Sequence, residues 1–521
     1  MTIEVAAFGV SSQKLPIAVR GNLEVEVTFA APELQLESTS AGVIESRGEG
    51  FRLQLHRLHG CIIVGHLART FQYGYVLAMT SSPEWSSLLE LYRQTVCTGV
   101  LQYLEKQTGV RSRRGVYSAA VVLWLMMLQR LEGRGTLASA VQMLLEGAAE
   151  PLLSRCRRVR RKRISCRTGG YCQARQKLPK LLCRQVSQEL VERLRTVLNS
   201  SQPEGSANVF VLDGSSLELE HTRSLVEFYP PAQNQHGQSH WPVLRVVVLH
   251  DVETGLAQQP CWGPMFGPQA VSEQALAEQA MDTLPAQSVV VGDRNFGIFS
   301  IAYAAQQRDL RVLLRLTKVR ARKLAGPISQ PGERRLSWQA SRWDSGKQRR
   351  LPRGAALEGR LVAARVGRGK SKQWLYLFTT LESPVEEILH LYARRWNIET
   401  DLRSLKRTVR LHHIHAKSPD MLEKEILLAV SAYNLVRAVM CMAARRNRLD
   451  PRQLSFAHVL TVVDHAWPKL IAAPTRTQHD QEFLRVLDMA AQCTLPHRKH
   501  RSFPRLVWRR GGPSRFRKVE N

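Results

Sequence analysis

Residues 384–410, PVEEILHLYARRWNIETDLRSLKRTVR, place one carboxylate, Glu399, among cations and a phenol at helical spacing. Ser383-Pro384-Val385-Glu386 has the pattern of a helix start, with Ser as N-cap, Pro at the first position and Glu at the third, a capping box. In a helix from that point, Tyr392, Arg395, Glu399, Arg403 and Lys406 follow at steps of three, four, four and three. At about 100° per residue they share an arc of roughly 80°. Leu391, Ile398, Leu402, Leu405 and Val409 form the neighbouring stripe, suited to a core. Two readings of the polar face stand side by side. One is an ordinary salt-bridged surface. The other is a site where the acid completes a metal centre and the Arg, Lys and Tyr grip phosphates.

The rest of the composition bears on that choice. The chain has 521 residues, long enough for two to four domains, with 74 Lys plus Arg against 44 Asp plus Glu and a formal charge of +30. Such an excess favours a polyanionic partner, most simply nucleic acid, with an anionic membrane surface as the competing reading. No apolar run approaches the length of a spanning helix, and the longest, Ala119–Leu128, reads as a buried helix. With no signal pattern at the start, a cytoplasmic, nucleoid-associated protein is expected. Nine cysteines are scattered without C-x2-C pairs, so they read as reduced thiols rather than a zinc site.

Along the chain, residues 1–78 show short apolar alternations such as Leu23–Phe29 and form an extension of undecided structure. Residues 79–205 turn helical, with Ser86–Tyr103, Tyr117–Leu131, Leu137–Glu146 and Gln173–Leu198 as expected helices. Between them, RCRRVRRKRISCR at 155–167 has eight Lys or Arg in thirteen residues. Arg158, Arg160 and Arg161 are therefore expected to contact phosphates, as in a helical DNA-binding domain. A solvated basic loop is the plain alternative. From 206 to 447 strands alternate with helices: Asn208–Leu217, Val243–Asp251 and Gly255–Trp262, then helix Ser272–Leu284, strand Gln287–Asp293, helix Phe299–Gln307 and strand Leu310–Leu316. That order predicts an α/β fold with a mixed sheet. Residues 317–383 read as a β-rich insertion, with strands Leu361–Val366 and Trp374–Thr379. Beyond it come helices Met421–Arg446 and Gln453–Leu470 and a basic tail, making 448–521 a helical and basic C-terminal region.

Two apolar strands each deliver an acid, Asp213 in NVFVLDGSSL and Asp293 in QSVVVGD. Strand ends of open α/β sheets are where sites form. With Glu399, the two acids can hold two hard divalent ions through oxygen ligands, Mg2+ being the best suited and Mn2+ a substitute. Such a pair activates a water or 3′-hydroxyl and stabilises the leaving oxygen of a phosphodiester. A turn or N-cap role is the plain alternative for each Asp alone.

Tyr392-x2-Arg395-x3-Glu399-x6-Lys406 resembles the Y-R-E-K signature of bacterial insertion-sequence DDE transposases of the cut-and-paste type. Val211-Leu212-Asp213-Gly214-Ser215 looks like the family's first-acid motif and Gly292-Asp293-Arg294-Asn295-Phe296-Gly297 like its second, while Tyr171-Cys172-Gln173-Ala174-Arg175 is similar to a segment of its N-terminal region. The resemblance covers roughly residues 110–510 and implies a ribonuclease-H-like catalytic domain. It implies Asp213, Asp293 and Glu399 as catalytic, metal-binding residues, and Tyr392, Arg395 and Lys406 as contacts to phosphates near the cleaved end. Trp374 stands where family members stack a flipped base, though a core Trp on a strand is an equal reading. Arg294 and Arg403 are further phosphate candidates, and His236 and His240 read as surface residues. The implied partners are double-stranded DNA, both element ends and target, and a second copy in a homodimer, with no membrane and no small-molecule cofactor. The alternative is a catalytically inactive or domesticated DNA-binding protein on the same fold.

Overall fold

The computed structural model describes residues 91–93, 98–109, 115–132, 135–153, 164–199, 208–235, 237–342, 351–367, 373–473 and 475–496, with isolated residues beside them. In residues 2–77 it describes the backbone of strands. Two of these, Thr2–Ala7 and Val10–Pro16, form a ribbon; the others form an antiparallel meander from Ala18–Arg20 to Tyr75–Leu77. That segment falls in one compact unit and residues 104–521 in another.

At the centre of the second unit is a mixed sheet of nine described strands. They are β1 (Val209–Glu218), β2 (Pro231–Asn234), β3 (Gly237–Asp251), β4 (Cys261–Pro264), β5 (Val289–Gly292), β6 (Arg311–Arg315), β7 (Gly332–Gln339), β8 (Ala356–Val366) and β9 (Gln373–Thr379). The order is β2-β3-β1-β5-β6-β9-β8-β7, with β4 beside β3. β1, β5 and β6 run parallel; β3 and β9 flank them antiparallel. Residues 317–383, expected as an insertion, therefore add strands to the same sheet. The parallel strands are the apolar runs of the sequence. Phe210, Val211 and Leu212 in β1 and all of β5 are buried, as strands covered on both faces must be. One face is packed by α1 (Glu273–Met281) and α2 (Phe299–Gln306), whose Leu276, Ala280, Phe299 and Ala302 meet Phe210, Leu212, Val290 and Val312.

Helices bind the sheet to the rest of the unit. The long helix α3 (Pro419–Arg446) is anchored at the β3–β4 connection. Asn434 accepts from the Ala257 N–H at 2.8 Å and donates to the Ala257 carbonyl at 2.8 Å, and Tyr433 donates to the Gly255 carbonyl at 3.0 Å. By length and composition α3 is apolar enough to cross a bilayer, which the run-length reading overlooked, but 94% of its most apolar window is buried in the protein. Against it pack Ala119–Leu131 and Lys180–Asn199. Arg130 and Arg175 both pair with the buried Glu425 of α3, the latter at 2.5 Å. The helix expected over Gln173–Leu198 is broken: Gly169–Lys177 ends before Leu178 and Lys180–Asn199 begins after Pro179, because proline disfavours helical backbone in the preceding residue and lacks an N–H. Arg476–Gln492 is a further helix, not expected from the sequence.

Candidate functional site: two strand carboxylates and an interrupted helix

Asp213 and Asp293 follow at the same level on neighbouring parallel strands, Asp213 within its strand and Asp293 just past the end of its own. β1 and β5 pair Val211 with Val291 and Leu212 with Gly292, so the next residue on each strand is an aspartate. The expected turn at Gly214 is absent, because β1 continues to Glu218 against β3, with Asp213 opposite Val248. Asp213 thus sits where β1 outruns β5, on a strand still held from its other side. Its Oδ1 accepts from the Gly214 N–H at 2.8 Å, and the Asp293 Oδ1 accepts from the Asn295 N–H at 2.8 Å.

Asp213 is the electrostatically perturbed member of the pair. Burial pushes the Asp213 carboxyl up to about 6; the Gly214 N–H opposes this, Asp293 adds to it, Arg395 opposes it and Glu273 adds to it. The Asp293 charge disfavours the ionised form of Asp213, and a cation between the two carboxylates would relieve that cost. Hard anionic oxygens suit Mg2+, so the Asp213–Asp293 pair fits a divalent ion. Among the described residues no three His, Cys, Asp or Glu side chains converge as a ready cage. Glu399 is instead paired with Arg395 at 3.4 Å.

The signature helix is not continuous. Val385–Ala393 is α-helical, Arg394–Trp396 is a 3-10 turn, Asn397–Arg403 is α-helical again and Ser404–Thr408 is a π turn. It starts one residue later than expected, with Pro384 at the cap position and no side-chain capping bond. The changes of winding split the expected common face. Tyr392 and Arg395 turn inward and are buried, Glu399 and Lys406 stay half-buried, and Arg403 faces solvent. The apolar stripe holds at Ile398, Leu402, Leu405 and Val409, which are buried, while Leu391 is only half-buried.

Each signature side chain has a local role. Arg395 acts on Asp213 as well as Glu399, and its guanidinium lies 4.7 Å from the Trp396 ring centre. Burial raises the Tyr392 hydroxyl pKa, against the pull of Arg395 and Arg315. Lys406 reaches across to β1, donating to Ser215 Oγ at 2.9 Å and the Ser216 carbonyl at 3.0 Å. Burial lowers its pKa. The lysine therefore ties the helix to the strand that carries Asp213.

Of the other expected contacts, Arg294 is exposed beside Asp293, and His240 stacks on His221 with ring centres 4.2 Å apart. Trp374 is half-buried on β9, stacked on Tyr376 with the Arg365 guanidinium 4.9 Å from its ring centre. Arg158, Arg160, Arg161, His236 and the basic tail lie outside the described residues. Tyr171 and Arg175 serve packing: Tyr171 is fully buried and donates to Gln129 Oε1 at 2.7 Å, and Arg175 grips Glu425.

Three participants, Glu273, Asp401 and Arg452, were missed in the sequence. Glu273 lies against Gly214, where a Cβ would fall on its carboxylate, and accepts from Asn295 Nδ2 at 2.6 Å. Asp401, two residues beyond Glu399, is buried in a two-pronged ion pair with Arg452 at 2.6 and 3.1 Å. An acid in an otherwise apolar stripe, next to Leu402, was the available sign of that partner.

Residues 204–435 match the family model for the transposase DDE domain. Over 129 residues the chain is 36% identical to the transposase InsG of insertion sequence element IS4 from Escherichia coli (strain K12), a match that spans 24% of this chain and 28% of that protein. Among solved structures, the piggyBac transposase synaptic complex with hairpin DNA is matched with 8% identity and a TM-score of 0.38, over 79% of this chain and 87% of that one.

Proposed function

From the premise that residues 204–435 carry a transposase DDE domain, in a chain related to an insertion-sequence transposase, we propose that this protein cleaves the ends of its own insertion sequence by metal-dependent phosphodiester hydrolysis and joins the freed 3′-hydroxyl to target DNA. The observation that carries the reading is the register of β1 and β5, which sets Asp213 beside Asp293 on rigid strands. Strand order β4-β3-β1-β5-β6, with only β3 antiparallel to its neighbours, supports a ribonuclease-H-like core within 206–447. In this reading 79–205 is the helical DNA-binding domain and 448–521 a basic accessory region.

Asp213 and Asp293 would hold the Mg2+ ions, and Glu399 would join them if Arg395 exchanged it for a DNA phosphate. When bound, the metal supplies an activated oxygen nucleophile and charge stabilisation at the leaving oxygen. Arg395 and Tyr392, buried and within electrostatic reach of Asp213 and Asp293 respectively, would hold the site's geometry and offer their polar ends to the phosphate. Lys406 keeps the helix at a fixed distance from β1. Arg294 and Arg403 offer exposed cations to the backbone, and Trp374 a ring for an unpaired base. The partners are double-stranded DNA and, for pairing two ends, a second copy of the chain. The test is a nicking assay on DNA bearing the element's ends, with Mg2+ or EDTA. Metal-dependent nicks at the end junction support the reading. Salt-sensitive binding without nicks under any divalent ion supports the inactive DNA-binding alternative.

A further inference from the structure

Glu273 lies beside the strand acids, outside the signature. It is the first residue of α1, a helix capped by Ser272, which accepts from the Ala275 N–H at 3.1 Å, and rooted in the sheet core by Leu276, Ala277, Ala280 and Met281. Its carboxylate is thus presented from a rigid base. One end of it lies in the space left by the missing side chain of Gly214, next to Asp213. The other accepts from Asn295 Nδ2 at 2.6 Å. Asn295 is held further by Gln274, whose Nε2 donates to its side-chain oxygen at 3.0 Å, and its own N–H donates to Asp293. A chain of contacts therefore runs from α1 through Asn295 to the second acid.

We propose that Glu273 is a positioning residue for the cleavage centre: by gripping Asn295 it fixes the loop that aims Asp293, and Gly214 is bare so that its carboxylate fits beside the first acid. This rests on the assignment of Asp213 and Asp293 as the acids of that centre. A methyl group at 214 meets the Glu273 side chain from Oε1 inward to Cγ and no backbone atom as near, so the side chain rather than β1 must give way. The Glu273 carboxylate swings aside instead, and its hold on Asn295 is lost. Glu273→Ala and Gly214→Ala then break one contact by two routes, and their effects must not add.

The test uses the full chain with Glu273→Ala, Glu273→Gln, Gly214→Ala and the Glu273→Ala/Gly214→Ala double variant. Two readouts are taken: amide hydrogen exchange over residues 293–298 in the metal-free protein, and nicking of end DNA with Mg2+. Both single Ala variants are expected to speed exchange at Asn295 and Gly297 and slow nicking on the order of 10–100-fold, the usual range for outer residues that orient a metal ligand. The double variant should be no slower than either single. Glu273→Gln keeps an acceptor for Asn295 and should restore both readouts. Unchanged exchange in Glu273→Ala, a Gln variant as impaired as Ala, or a full additional loss from Gly214→Ala in the Glu273→Ala background overturns the proposal. A wild-type protein that never nicks, while the exchange pattern holds, refutes the cleavage reading and leaves the contact standing.

Discussion

Arg452→Met removes the cation beneath the signature helix and leaves Asp401 buried without its main partner. In the folded protein burial raises the Asp401 pKa, but Arg452, Arg437 and His250 outweigh it, so the carboxyl is held below its ordinary range. Both side chains are nearly inaccessible, at 7% and 6% exposure, and the pair is two-pronged at 2.6 and 3.1 Å. Removing one partner of such a pair costs about 3–5 kcal/mol, because the remaining charge stays desolvated. The compact unit that holds the pair runs through residues 104–521; at about 2.1 cal/mol/K of unfolding entropy per residue, each kcal/mol lowers its melting temperature by about 1 °C, so a drop of about 3–6 °C is expected. The sign with pH follows from linkage. A depressed carboxyl contributes stability above its unfolded value of about 3.9 and loses it as pH falls through the lower folded value. The wild-type advantage over Arg452→Met should therefore be fully present near neutral pH and shrink as pH falls below about 4. Calorimetry across that range is the assay. An unchanged melting temperature at pH 7, or a gap that widens in acid, would refute the reasoning.

Asp213 gives the opposite sign. Its folded carboxyl is raised to about 6, so its contribution to stability is fully present below about pH 4 and is lost as pH rises through 6. Asp213→Asn should melt higher than wild type at pH 7–8 without divalent ions, with the difference vanishing below about pH 4; a variant less stable than wild type at pH 8 contradicts the burial argument. Gly297→Ala drives its Cβ into the Arg315 backbone carbonyl, which cannot swing aside, and should cost at least the 1–3 kcal/mol typical of overpacking, read as a lowered melting temperature. Lys406→Ala removes the donor to Ser215 and Ser216 and should weaken end binding or slow nicking, with Lys406→Arg recovering only part; full activity in the Ala variant would remove its role.

The α/β class and the two strand acids were legible because parallel strands covered on both faces appear as uninterrupted apolar runs, as in NVFVLD and SVVVGD. The order of the signature helix was legible from its stripe, since Ile398, Leu402, Leu405 and Val409 pack as their spacing requires. Its winding was not. A 3-10 turn at Arg394–Trp396 and a π turn at Ser404–Thr408 shift the later part of the face by fractions of a turn that residue spacing cannot record, so Arg403 ends in solvent while Arg395 is buried. The contacts of Asp401 with Arg452 and of Glu273 with Gly214 join residues 51 and 59 positions apart. Such pairings are set by tertiary packing and leave no local pattern. Pro179 was a visible breaker inside an expected helix, and the structure breaks there.

The proposal that Asp213, Asp293 and Glu399 cut DNA is tested most directly by nicking at the element's end junction. Wild type and Glu399→Gln are compared in Mg2+, with end binding followed in parallel. Nicking by wild type, its loss in Glu399→Gln and retained binding by both are the predicted result. Nicking at the wild-type rate by Glu399→Gln, with binding intact, would contradict the assignment.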